Sequence, residues 1–319
     1  MFPLSTRTHT TARAGLAAGI KSLASFSPDG LLLEGPGPAF APGELRAVVA
    51  TAALPLVGVS PTIFQSGVGP LANVSKRLRE EDGYRAMEVL ERTVALQKDL
   101  RCPDLLLTLG RGGLIPEERS AEDQFLRATG PMKPPAAASR DQAASRESVA
   151  QFRQRMRRQR EGAAERFCRR VHGLLGRHPG LRVTIVVGSD PAALDDLEFL
   201  EWVLPEFSGN SLAVALATGA LGLRAEFDDP TPQRWAEALS GRLRLVILSD
   251  HNRERSNLFA GTGIFPFATL RDWLPGAVPR VLLFDDTLPR EFLLQADRDL
   301  RELLGGGPDL SKGAGGSWT

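Results

Sequence analysis

LVILSDHNRERSNLFAGTGIFPFATL, residues 245–270, decides the fold. Leu245 to Leu248 form a run that is apolar on both faces, as expected of a strand covered by helices on each side. The run ends in Ser249, Asp250 and His251. A polar loop then leads to Gly261-Thr262-Gly263 and an amphipathic segment. This is one strand–helix unit with its polar residues gathered at the strand's carboxyl end. In sheets built from such units that end carries the chemistry.

The same alternation recurs along the chain. Candidate strands are Phe2–Thr6, Gly30–Glu34, Leu54–Val59, Asp104–Leu109, Arg182–Val187, Leu212–Leu216, Leu243–Ser249 and Val281–Phe284. Each is followed by a polar or glycine-containing corner and then a helical pattern, which points to parallel strands with crossover helices. Residues 75–100 place Ala86, Val89, Leu90, Val94 and Leu100 near a 3.6-residue period, and residues 289–304 do so with Phe292, Leu293, Leu300 and Leu303. Eight units in a chain of 319 residues predict a single (β/α)8 TIM barrel over residues 1–304. A doubly wound open sheet fits the same alternation and is the alternative, weakened because no Gly-x-Gly-x-x-Gly turn follows the first strand. Residues 110–146 form a long insertion after strand 4, on the face where the chemistry gathers. Residues 305–319, rich in glycine, read as a disordered tail.

Composition narrows the function classes. The chain is 42% hydrophobic and 24% charged, with a formal net charge of +1, so no global field argues for a nucleic-acid or membrane partner. Cys102 and Cys168 are the only cysteines, which suits a reducing compartment better than a disulfide framework. No apolar run approaches a membrane span, and the amino terminus lacks the pattern of a secretory signal. The expected location is the cytoplasm. The helical stretch 152–170 is strongly basic, but its arginines are spread around the helix and no aromatics interleave to stack bases. It reads as the solvated face of an outer helix. His172 and His178, on or after that helix, read as solvent-facing.

Several segments resemble the xylose-isomerase-like TIM barrels, a superfamily of sugar-phosphate isomerases, epimerases and endonuclease IV-like enzymes. Residues 245–270 resemble that family's unit in which a strand ending in His-x-x-Asp runs into a loop closing on Gly-x-Gly. Residues 12–35 resemble the family's opening helix and second strand, with Pro28-Asp29-Gly30-Leu31 and Glu34 in the matching places. SLAVALATGA, 211–220, sets Ala217-Thr218-Gly219-Ala220 against the family's Asp-Thr-Gly-His. The resemblance spans most of the chain through loose motifs in the right order.

The resemblance implies a divalent cation held by carboxylates and imidazoles at four strand ends. Gly188 stands near the fifth-strand glutamate position, Ala217 and Ala220 replace both sixth-strand ligands, and Ile247 takes a seventh-strand histidine position. Arg255 and Asn257 fall where endonuclease-like members carry Asp-x-His, and only Asp285 is left to replace the eighth-strand glutamate. Alkyl side chains donate no electron pair, so the expectation is a barrel with neither the family metal nor another cofactor. Without a metal, isomerisation needs a general base and donors for an enolate oxygen. Glu34, Asp250 and Asp285 are the candidate bases. Arg7, His9, Arg111, Asp190 and His251 are candidate substrate-binding residues, and Gly261 and Gly263 are candidate amide donors to an anion such as a phosphate. The expected partner is a small polar metabolite, phosphorylated or not. The alternative is a non-catalytic scaffold that uses loop 110–146 to bind a protein.

Overall fold

Alternation of side chains along each strand builds two separate apolar layers. A computed structural model describes residues 2–5, 16–34, 42–60, 80–109, 161–162, 164–191, 193–227, 229–283 and 288–304. The strands are β1 (Leu4–Ser5), β2 (Leu31–Leu33), β3 (Leu56–Val59), β4 (Leu105–Thr108), β5 (Val183–Val187), β6 (Leu212–Ala217) and β7 (Leu243–Leu248). A hairpin of β8 (Asp250–His251) and β9 (Ser256–Leu258) follows, then β10 (Arg280–Leu283). The helices are α1 (Leu16–Ala24), α2 (Pro42–Ala52), α3 (Glu80–Asp99), α4 (164–177), α5 (Leu197–Val203), α6 (Thr218–Ala225), α7 (Pro232–Leu239), α8 (Leu270–Trp273) and α9 (Arg290–Leu304).

The ring runs β1-β10-β7-β6-β5-β4-β3-β2 and closes on itself. Leu4 decides closure, because it pairs in parallel with Leu31 of β2 and with Leu282 of β10. An open sheet would leave β1 or β10 as an unpaired edge, so the alternative topology is excluded. Insertion 110–146, tail 305–319 and most of the basic stretch 152–170 lie outside the described residues.

One layer fills the barrel. Leu32, Leu106, Val186, Ala215, Ala217, Leu245, Ile247 and Val281 pack together inside it. Their alternating neighbours, among them Leu31, Leu105, Ile185, Val214, Leu216 and Leu248, join the outer core beneath the helices. Alanines on β6 face bulkier residues on β7, so large and small side chains interlock across the taper. The amino-terminal end is stoppered by charge. Asp104 accepts from Arg182 Nη2 at 2.9 Å and from Arg244 Nη1 at 2.9 Å, and Thr184 Oγ1 lies 3.3 Å away. The carboxyl end is therefore the mouth.

Local signals set the helix starts near that mouth. The Asp196 side chain accepts from Phe199 N at 2.8 Å and caps α5. Thr231 accepts from Arg234 N at 3.3 Å and caps α7, with Pro232 at its first position.

Candidate functional site

The strand alternation carries past each strand's end to the mouth. β2 buries Leu32 inside the barrel, and two residues on, Glu34 is a buried carboxylate at the carboxyl end, 3% exposed. The same period brings β5 to Gly188, β6 to Ala217 and β7 to Ile247 and Ser249. Among the described residues no group of three or more His, Cys, Asp and Glu side chains is placed to hold a metal ion. Gly188, Ala217 and Ile247 offer no side-chain ligand to a cation, since hydrogen and alkyl groups cannot ligate, and Asp285 lies outside the described residues.

Beyond β7 the chain forms a closed knot. Asp250 Oδ1 accepts the backbone N–H of His251 at 2.8 Å and of Phe265 at 2.8 Å. Its Oδ2 accepts the N–H of Gly263 at 2.8 Å and of Gly261 at 3.1 Å. A carboxylate offers about four lone-pair sites, and here backbone donors occupy them. The Gly261-Thr262-Gly263 turn is thus an anion nest whose anion is the protein's own Asp250. In this arrangement backbone donors meet the lone pairs that a general base at Asp250 would use, and the amides of Gly261 and Gly263 point at Asp250.

Glycine is required at both turn positions. Gly261 has φ +89°, and a Cβ on Gly263 would lie 2.1 Å from the His251 carbonyl oxygen. Ile264 N donates to that same oxygen at 2.9 Å.

The knot leans on α6. A Cβ on Gly219 would meet the Asp250 carbonyl oxygen at 2.1 Å, and one on Gly222 would meet His251 Cε1 at 2.4 Å. Thr218 and Ser249 lock the contact. The Thr218 hydroxyl donates to the Ser249 carbonyl, Ser249 N donates to Thr218 Oγ1 at 2.9 Å, and Gly219 N donates to Ser249 Oγ at 3.1 Å. ATGA therefore serves here as a close-packing surface. His251 sits between Gly222 and the edge of Phe265, its ring 6.2 Å from that of Phe265 and its buried Nδ1 without a hydrogen-bond partner among the described residues. Burial holds its pKa below the usual imidazole range, against the pull of Asp250 and Glu226.

A second polar cluster beside β5 had no counterpart in the sequence reading. Arg224 of α6 and Asp195 are fully buried and paired, Nη1 to Oδ1 at 2.9 Å. Arg224 Nε also donates to Asp229 at 2.6 Å, and its Cζ lies 5.1 Å from the Trp235 ring centroid. Asp195 Oδ2 accepts from Gly188 N at 2.8 Å. Burial pushes the Asp195 carboxyl up to about 6, with Arg224 pulling the other way and Asp190 adding to the rise. The one available signal was an arginine interrupting the apolar helix TGALGLRA.

Of the remaining candidates, Asp190 is half-buried on the β5 loop, where its carbonyl accepts from Ala193 N at 3.0 Å. Arg7, His9, Arg111 and Asp285 lie outside the described residues. His172 is exposed, as expected, and stacks on Phe207 at 4.2 Å, whereas half-buried His178 bonds Glu91 at 2.6 Å.

No protein-family model matches the chain, and no curated protein matches it. Solved structures do. 3-Keto-D-glucoside 4-epimerase from E. coli superposes with a TM-score of 0.58 at 12% identity, over 95% of this chain and 100% of that one. The fold these proteins share with the chain is the TIM barrel. A D-tagatose 3-epimerase-like protein gives 0.57 at 12% identity over 95% of this chain and 97% of its own. An L-ribulose 3-epimerase gives 0.55 at 16% identity over 93% and 86%. At identities this low the likeness shows the fold alone. No helix among the described residues is long and apolar enough to cross a membrane.

Proposed function

We propose that this barrel binds a small sugar-like metabolite at its carboxyl-end mouth without a divalent metal, and that Glu34 is the residue through which it acts. The observation that carries the reading is Glu34 itself, a carboxylate buried at the carboxyl end of β2, in a barrel where Gly188, Ala217 and Ile247 at three other described strand ends offer no ionisable group. A carboxylate placed at the barrel mouth can take a proton from carbon beside a ketone. Glu34 would take the proton from the sugar carbon, leaving an enediolate, and Asp285, protonated at the outset, would deliver a proton to the opposite face to complete an epimerisation. Arg7 or Arg111 would hold the enolate oxygen. The solved structures named above include epimerases of L-ribulose and 3-keto-D-glucoside, which makes unphosphorylated keto sugars the first substrates to try. Asp250's occupation of the Gly261–Gly263 nest also favours an unphosphorylated ligand over a sugar phosphate.

The test is proton exchange at the carbon beside the ketone, followed by NMR in D2O with L-ribulose, D-tagatose and D-allulose and with chelator-treated protein. Exchange that persists without metal and disappears in Glu34→Gln is expected. Exchange that appears only when manganese is added would overturn the metal-free reading. Saturable binding without exchange favours the second reading, a non-catalytic binding barrel, which the closed Asp250 knot supports by removing one candidate base from the mouth.

A further inference from the structure

Outside the barrel, α4, the β5–α5 loop and the loop after α6 enclose a cleft of about 640 Å³. Its wall includes Leu194, Leu197 and Phe199, and Trp202 stands in it with 52% of its surface exposed. That indole is held from behind. Phe199 lies 6.1 Å from Trp202 and makes an edge contact with Phe167 at 5.8 Å, so Trp202 presents a supported aromatic surface. Among the described residues, the ionisable side chains lining the cleft are all acidic, with Glu161 and Glu165 on one side and Glu198 on the other. The chain as a whole carries a net charge of only +1, so this acidity belongs to the cleft.

An apolar wall, a propped half-exposed tryptophan and a carboxylate rim are complementary to a cation with an apolar stem. Guanidinium groups stack on indole faces and pair with carboxylates in one geometry. A tryptophan at the centre of a small apolar patch is also the commonest anchor of a protein interface. We propose that the cleft docks an arginine-bearing, apolar-flanked segment of a partner protein, with the arginine over Trp202 and its charge met by Glu161 and Glu165.

The probe is the peptide acetyl-Leu-Arg-Ala-Leu-Arg-amide, titrated by calorimetry into the full chain, with acetyl-Leu-Glu-Ala-Leu-Glu-amide as control. Saturable binding of the basic peptide is expected, weakening as salt rises from about 50 to about 300 mM. Trp202→Ala and the pair Glu161→Gln with Glu165→Gln should each weaken it about tenfold or more. Trp202 is half exposed, so its variant should fold, and far-ultraviolet circular dichroism checks that. No saturation by about 1 mM peptide, equal binding of the acidic peptide, or unchanged affinity in Trp202→Ala would overturn the proposal. Concentration-dependent self-association abolished by Trp202→Ala would instead assign the cleft to a second copy of the chain.

Discussion

Asp250 accepts four backbone amides and His251 buries a ring nitrogen that is unpartnered among the described residues, and both facts carry consequences for single residues. Asp250→Ala leaves those buried donors without an acceptor, each costing about 1–3 kcal/mol where water cannot reach. We expect a loss of at least about 3 kcal/mol by urea denaturation, partly restored by formate, which fits the vacated nest. A neutral substitution would show the carboxylate to be free for a ligand. The imidazole of His251 is held below its ordinary pKa, so its contribution is present above the unfolded value near 6.5 and is lost as pH falls toward the folded one. Unfolding free energy should therefore drop below about pH 6.5, and His251→Gln should flatten that slope. Asp250 and His251 were legible as polar residues at a strand end. Their role was not, because it depends on a chain path that returns Gly261, Gly263 and Phe265 to the same carboxylate.

At the scale of elements, α6 and the extension of β7 meet through glycine. Gly219→Ala in an exposed helix would gain about 1 kcal/mol of helix propensity. Here the added Cβ would sit 2.1 Å from the Asp250 carbonyl oxygen, a contact with backbone that must be relieved by moving the two elements apart. The sign should reverse, with a loss of about 1–3 kcal/mol in thermal or chemical denaturation, as for other overpacked contacts. Stabilisation of Gly219→Ala would show that α6 and the hairpin are less closely packed than described. The strands and helices themselves were readable, because apolar residues at period two or near 3.6 are a local property. The hairpin was not, since Asp250–His251 and Ser256–Leu258 look like polar loop and pair only once β7 has placed them. ATGA was read as a row of lost ligands. Its Thr218 and Gly219 turn out to form the surface that lets the β7 extension approach.

Across the whole molecule, buried charge ties distant segments together. Arg224 joins α6 to Asp195 before α5 and to Asp229 after α6, over Trp235 of α7. Removing one partner leaves a buried charge uncompensated, so Arg224→Met should cost about 3–5 kcal/mol in urea denaturation, and a near-neutral result would show the pair dispensable. Asp195 titrates in the opposite sense to His251. Its folded pKa, near 6, lies above the unfolded value, so its contribution is complete below about pH 4 and is lost as pH rises through about 6. Asp195→Asn should remove that decline. The two slopes oppose each other between about pH 5 and 6, so each is read as the difference between the protein and its own variant. The sequence by itself determined the repeating strand–helix unit and which end of each strand is polar, because alternation and apolar content act over a few residues at a time. Closure of the ring through Leu4, filling of the Gly261–Gly263 nest by Asp250, pairing of Arg224 with Asp195 and the acidic cleft under Trp202 were decided only in three dimensions. Each joins groups that are separate along the chain, and the energy of a buried charge or hydrogen bond depends on the partner that folding brings to it.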